Sequence, residues 1–575
     1  MRHRRPDASH EFPRERGSWK KSWKGRLPVG LLFPNTYGVG MSNLGLQLVY
    51  ELVNQNPDLV CERIFLPDGE EKPLSVESSR PLADFPVILC SISFEQDIPS
   101  LVRMLISAGL EPLAEERQEA GIESGKPLII GGGVCCFINP ETVAPFFDML
   151  VIGEAEPVLP AILERLSAAG KNLDRRELLR RMAVELPGCY VPRFYHFKYG
   201  PDQILREIEV EPGIPRRVKR LGIEAPEVAG HSAILTPAAE FADLYMVELG
   251  RGCSKGCRFC AAGFVYRPPR LWSGSAIVSA IEERPEGADK IGLLGMEMVR
   301  SGELQKVAER LLLDGCQLSF SSLRADVIGD SLLTLLAGSG LKTVAIAPDG
   351  GSERLRRVIN KGISREDVLR GTEKLVKAGI VNLKLYFMIG LPTETDADLD
   401  EMAKLVAEVR EIMNIPGRAR GRLSTLTLSI NPFVPKAWTP FQYQPFAGVN
   451  LLKKKLKYLR QALKGVANLK IMGENPNNAF LQAVLARGDR RLAPALIELA
   501  TVGGNWRQAM RKNGINPEHY ALRSRDRFEL LPWQVIDHGI KVDYLWAEYQ
   551  RALAGRATGP CETSRCRRCG VCVGG

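Results

Sequence analysis

The chain has 575 residues, too many for one hydrophobic core, so two to four domains are expected. Apolar residues make up 45% and charged residues 25%, ordinary for a globular protein. No apolar run reaches the roughly eighteen residues that a membrane-crossing helix needs. Residues 1–26 carry nine Lys/Arg against three Asp/Glu and so supply six units of the net +10. With Pro6 and Pro13 in it and no apolar segment, this stretch is expected to be a basic, flexible tail, and the protein cytoplasmic.

In chain order, residues 27–185 alternate apolar runs with helical patterns. LPVGLLF, FPVILCSISF, KPLIIGGG and FDMLVIGEAE are predicted strands, and continuous apolar strands separated by helices indicate a parallel, Rossmann-like sheet. Ligands on such sheets bind beyond the carboxyl ends of the strands, which here are the loops at 35–43, 93–97, 131–136 and 153–156. Residues 186–240 are Pro-rich and read as a connector with a few β segments. Over 241–445 six more strands are predicted (LYMVEL, KIGLLG, LSFSSL, TVAIAP, LKLYFMIG, STLTLSI), spaced as in a partial, TIM-type (βα)6 barrel. Residues 446–555 turn helical, and 556–575 form a Cys-rich tail. The fold class is therefore α/β.

The thirteen cysteines are too clustered for chance and too few for a disulfide scaffold, which points to metal or redox chemistry. Cys253, Cys257 and Cys260 (RGCSKGCRFC) follow the first barrel strand, on the edge where barrel enzymes place their chemistry. Three thiolates suit an iron–sulfur cluster with one open iron, or a zinc loop short of a ligand. Cys561, Cys566, Cys569 and Cys572 (CETSRCRRCGVC) could close around zinc or a second cluster, with Arg565, Arg567 and Arg568 offsetting their charge; the bland alternative is a tail of reduced thiols. Basic runs at 418–422, 453–457 and 565–568 could meet phosphates, which keeps RNA open as a partner, although solvated helix faces explain them as well.

The C-x3-C-x2-C loop resembles the signature of the radical S-adenosylmethionine (SAM) superfamily. That resemblance implies a 4Fe–4S cluster on Cys253, Cys257 and Cys260 whose fourth iron binds SAM, reductive SAM cleavage to a 5′-deoxyadenosyl radical, and a reduced flavodoxin or ferredoxin as electron donor. It further implies Phe259 near the adenine, Gly295 and Glu297 (with Met296 between them) at the SAM amino group, and Ser322 and Arg324 at the ribose and carboxylate. MIGLPTET, residues 388–395, resembles the family's strand beside the adenine; on the plainer reading it is a strand-to-helix turn with Thr393 as the helix cap. The N-terminal sheet resembles the cobalamin-binding domain of one branch, through IIGGGV, VIGEAE and SISFEQDIP, so cobalamin is a candidate cofactor. The branch's His-bearing loop is replaced by PNTYGVGMSNLG, which has no His. The resemblance implies modification of an unknown substrate, including cobalamin-assisted methyl transfer. Alternatives are a methylthiotransferase-like enzyme with a second C-terminal cluster, and a nonenzymatic, metal-containing RNA-binding protein.

Overall fold

A computed structural model describes residues 14–69, 71–117, 126–168, 174–295, 297, 301–320, 322–419 and 424–572. Six strands form the first sheet: β1 (Leu27–Phe33), β2 (Leu59–Phe65), β3 (Val87–Ser91), β4 (Leu128–Gly132), β5 (Met149–Val151) and β6 (Cys189–Tyr190). Their order is β2-β1-β3-β4-β5-β6, parallel except for β6. The order reverses between β1 and β3, which opens a crevice above the carboxyl ends of those two strands. Across that crevice Asn35 donates to Asp97 at 2.8 Å and Asn43 to Ser93 at 2.9 Å.

β2 was not expected as a strand, because Glu62 and Arg63 interrupt its apolar pattern. Both side chains are buried and paired: Glu62 accepts from Trp23, Ser75 and Ser78, and Arg63 contacts Glu15 and Glu77 at 2.7 Å each. Buried charges are tolerated when each is matched in this way. The same contacts correct the expectation for the first 26 residues. Residues 14–26 dock on the sheet: Arg16 bridges to Leu235, and Lys21 donates to the Asn56 carbonyl at 2.9 Å. Residues 1–13 lie outside the described residues.

The connector supplies a hairpin, β7 (Tyr195–Tyr199) with β8 (Leu205–Val210), and a short strand, β9 (Val218–Lys219). The second parallel array begins at β10 (Tyr245–Glu248), followed by a small ribbon of β11 (Gly250–Arg251) and β12 (Arg270–Leu271). It continues through β13 (Lys290–Leu294), β14 (Gln317–Phe320), β15 (Thr343–Asp349), β16 (Asn382–Ile389) and β17 (Leu426–Pro432). A parallel bridge from Leu323 to Ile346 joins the β10-β13-β14 sheet to the one that starts at β15. All six expected strands are present, with helices between them.

The region after residue 446 is not purely helical. β18 (Leu469–Gly473) pairs parallel with β17 and adds a seventh strand to the array. Its LKIMG pattern is only half-buried, so the apolar run that marks an inner strand is missing. The helices Pro476–Arg487 and Ala493–Val502 then return to the N-terminal sheet, where the second packs against helix Ile98–Ser107. A last strand, β19 (Ile536–Asp537), pairs with β9. Buried polar contacts seal this return: Thr142 donates to the Leu485 carbonyl at 2.8 Å, and Arg490 meets fully buried Glu141 at 2.7 Å. Among the described residues no helix is long and apolar enough to cross a membrane.

Glu141→Ala leaves the Arg490 guanidinium half-desolvated without its carboxylate, and is expected to cost about 3 kcal/mol. A urea midpoint unchanged from the parent chain would contradict this role for the pair.

Candidate active site at the end of the first barrel strand

β10 ends at Glu248, and Gly250–Cys260 cross the carboxyl end of the array. Gly252 has φ +87°, and a Cβ there would stand 2.9 Å from the Tyr266 carbonyl oxygen, so the residue before Cys253 has to be glycine. Arg251 anchors the loop's start with three carboxylates: Glu154 at 3.1 Å, Glu156 at 2.7 Å and Glu248 at 3.0 Å. Glu154 and Glu156 end the β5 segment of the first sheet, so this network ties the two parallel arrays together at the loop. Arg270 also pairs with Glu154. Burial alone would raise the Glu154 carboxyl, but the Arg270 hydrogen bonds and the two guanidinium charges hold it below the usual range. Burial wins at Glu248, whose carboxyl is pushed up.

The middle of the loop is gripped by contacts that sequence spacing did not reveal. Asn360, with φ +55°, donates its side-chain amide to the carbonyls of Lys255 and Gly256 at 3.3 and 3.2 Å. The Arg258 backbone N–H donates to the Ile359 carbonyl at 2.9 Å. The Arg258 side chain is fully buried, meets Glu548 at 3.1 Å, and donates to the carbonyls of Val358 at 2.9 Å and Arg556 at 2.7 Å. The only hint in the sequence was Asn360-Lys361-Gly362 after a short helix, an ordinary turn signal.

Cys253, Cys257 and Cys260 are brought together: Cys260 acts electrostatically on both of the others. Burial pushes Cys253 up to about 11 and Cys257 up to about 12, and raises Cys260 too. Two cations oppose this. Arg324 lowers Cys253 and Cys257, while Lys361 lowers Cys257 and Cys260. Lys361 was not foreseen; it pairs at 2.5 Å with Asp349, the last residue of β15, and burial raises the Asp349 carboxyl despite that partner. Among the described residues no three His, Cys, Asp or Glu side chains close around a single ion position. A cubane asks for a looser arrangement, since each cysteine binds a different iron. Three neighbouring thiols flanked by buried Lys361 and half-buried Arg324 are a donor set that fits it.

Glu297, at the carboxyl end of β13, accepts from the Ser254 N–H and hydroxyl at 2.7 Å each. Ionised, it keeps lone pairs for a further donor. Gly295 is close-packed, since a Cβ there would stand 3.0 Å from Leu249, and Met296 lies outside the described residues. Arg324 is fixed by Asp326 at 3.0 Å and by donation to the Lys361 carbonyl at 2.8 Å, and Ser322 is exposed two residues before it. Phe259 packs with Met388 against an apolar cluster that includes Leu391 and Phe433. Thr393 does not cap the following helix. It has φ +62° and accepts from Arg354, while Thr395, directly before helix Asp396–Ala419, donates its backbone N–H and its hydroxyl to the Asp398 carboxylate at 2.8 Å each.

At the crevice of the N-terminal sheet, the β1 loop is bonded from outside: Gly38 accepts from the Glu240 N–H at 2.9 Å and Ser42 from the Phe241 N–H at 3.1 Å. A Cβ on Gly131 would run into Leu150 and Phe147, whereas Gly132 faces open space. The loop has no histidine, so it offers cobalt no imidazole. Of the basic runs, Lys455 is buried against Glu394 at 2.6 Å, leaving Lys453, Lys454 and Lys457 exposed, and the side chains of 418–422 lie outside the described residues.

Residues 45–192 match the family described as radical SAM proteins, N-terminal, and residues 247–406 match the radical SAM superfamily. Together these stretches take in more than half of the chain, which belongs to the radical SAM superfamily and is an enzyme of that class. Membership implies a 4Fe–4S cluster and SAM, and sets aside the nonenzymatic RNA-binding alternative. An uncharacterized protein of Methanocaldococcus jannaschii is 28% identical over 81% of this chain and 90% of its own length. The tRNA-2-methylthio-N(6)-dimethylallyladenosine synthase of Hahella chejuensis is 24% identical over 37% of this chain, and the ribosomal protein uS12 methylthiotransferase RimO of Thermodesulfovibrio yellowstonii 23% identical over 28%. The chain spans only 51% and 41% of the lengths of those two enzymes. Among solved structures, the cobalamin-dependent radical SAM enzyme OxsB with aqua-cobalamin bound aligns at a TM-score of 0.45 and 15% identity, over 75% of this chain and 62% of that one.

Arg258→Ala removes the buried clamp between the loop and residues 548–558. It is expected to lower stability by about 3 kcal/mol and to speed proteolytic cleavage after residue 540. Parent-like cleavage would contradict the clamp.

Proposed function

We propose that Cys253, Cys257 and Cys260 hold the 4Fe–4S cluster, and that the chain uses SAM to start radical chemistry on a substrate at the carboxyl end of the barrel strands. The observation that carries this reading is the meeting of the three thiols with Arg324, Lys361 and Glu297 at that strand edge. When bound, such a cluster supplies the electron that breaks the sulfur–C5′ bond of SAM. The residues of this chain do the rest. Arg324, whose Nε and Nη2 are held by Asp326 and the Lys361 carbonyl, offers its remaining Nη1 donors to the SAM carboxylate. Glu297 fixes Ser254 and accepts from the SAM amino group with its remaining lone pairs. Phe259 offers an apolar surface to the adenine. Arg324 and Lys361 offset the thiolate charge in a desolvated setting, where an uncompensated charge is costly. Reduced flavodoxin or ferredoxin is the donor class this chemistry calls for.

Gly132, open above its strand end, favours a second reading in which the N-terminal sheet holds cobalamin for methyl transfer. Corrin absorbance in the anaerobically purified chain and formation of S-adenosylhomocysteine test it. The methylthiotransferase alternative rests on relatives aligned with about a third of the chain, and predicts methylthiolated rather than methylated product.

After anaerobic reconstitution, the parent chain with a chemical reductant is expected to release 5′-deoxyadenosine from SAM, and Cys257→Ala none. Arg324→Ala is expected to raise KM for SAM at least about tenfold, the loss of one charge-assisted contact. No 5′-deoxyadenosine from the parent, or equal amounts from Cys257→Ala, would refute the assignment.

A further inference from the structure

We propose that Cys561, Cys566, Cys569 and Cys572 hold a second iron–sulfur cluster, seated directly on the loop of Cys253, Cys257 and Cys260. This rests on the first-cluster reading only for what it adjoins. The sequence offers four thiols in twelve residues. The C-x4-C-x2-C portion is the spacing with which plant-type ferredoxins present three of their cluster ligands.

The structure shows that this segment is no loose tail. Cys569 is 2% exposed, its carbonyl accepts from the Lys541 N–H at 2.9 Å, and Val571 packs on the main core. Gly570, at φ +96°, makes the turn between them, where a Cβ would stand 2.9 Å from Lys541. Arg568 ties the segment to itself: it donates to the carbonyls of Gly559 at 2.8 Å and Pro560 at 2.7 Å, and its Nε donates to Cys566 Sγ at 3.3 Å. Cys561 lies within electrostatic reach of the other three thiols, and among the described residues no three of them close around a single ion position. Guanidinium groups surround them: Arg267 acts on Cys561, Cys569 and Cys572, and Arg567 on Cys572. Hydrogen bonds to sulfur and nearby charge are the levers that set a cluster's potential.

Position favours iron over zinc. The Cys561 N–H donates to the Ser254 carbonyl at 2.7 Å, so one hydrogen bond links a residue of the tail set to the neighbour of Cys253. Thr558, three residues earlier, donates its N–H to Asn360, the same residue that grips the loop from the other side. A redox-inert zinc ion gains nothing from contact with a redox centre, whereas a second cluster placed there is coupled to the first.

The test uses the full chain, purified and reconstituted anaerobically with iron and sulfide. Iron, zinc and acid-labile sulfide are measured in the parent, in Cys257→Ala, in Cys566→Ala and in the double variant. Cys566 is half-exposed, and circular dichroism checks that its variants fold. The expected result is partial loss of iron and sulfide in each single variant and near-complete loss in the double. The reduced parent should also show a magnetic interaction by electron paramagnetic resonance that both single variants lack. Loss of iron from Cys566→Ala alone, with none from Cys257→Ala, would support the second cluster while sinking the first-site reading. A folded Cys566→Ala that keeps all its iron, or loses only zinc, overturns the proposal.

Discussion

The arrangement depends on holding one short backbone segment still. Three thiols on a single loop can face one cofactor only if the peptide units between them are fixed, and Gly252 and Gly256 leave that loop little stiffness of its own. The grip comes from outside. Arg251 is locked among three carboxylates at the start, Asn360 and the Ile359 carbonyl take the middle, Glu297 takes Ser254, and buried Arg258 reaches through to Glu548. Desolvated charges of this kind persist only when every one is matched, so each contact constrains the element that supplies its partner.

That requirement explains why distant parts of the chain converge here. Glu154 and Glu156 come from the N-terminal sheet, Asn360 and Lys361 from the turn after the short helix that follows β15, and Glu548 and Thr558 from the C-terminal end. The returning helices after β18, anchored by Thr142 and Glu141, bring the chain's end back across the first sheet, and the Cys-rich segment then lies on the cysteine loop. The basic stretch before β1 belongs to the same scheme on the far edge, where Glu15 neutralises the buried Arg63 of β2.

Much of this was legible in the sequence, where a local pattern carried the information. The six barrel strands announced themselves as apolar runs between amphipathic helices, and the cysteine spacing singled out a loop inside the stretch that matches the radical SAM superfamily. What escaped notice was set by partners far along the chain. β2 reads as broken because Glu62 and Arg63 look like surface residues until Trp23 and Glu15 arrive to pair with them. β18 is an outer strand with a half-buried pattern, and after a Lys-rich helix it carries no continuous apolar run. Arg258 sits inside the cysteine motif, yet its partner Glu548 is almost 300 residues away. The cap position also moved by two residues, to Thr395, because Thr393 turns left-handed to meet Arg354.

The most direct measurement of the central claim is electron paramagnetic resonance of the reduced, reconstituted chain with and without SAM. If Cys253, Cys257 and Cys260 carry a cluster with an open iron, SAM shifts the signal of the parent chain, and Cys257→Ala lacks that SAM-responsive signal. A parent signal indifferent to saturating SAM, or a response that survives in Cys257→Ala, would contradict it.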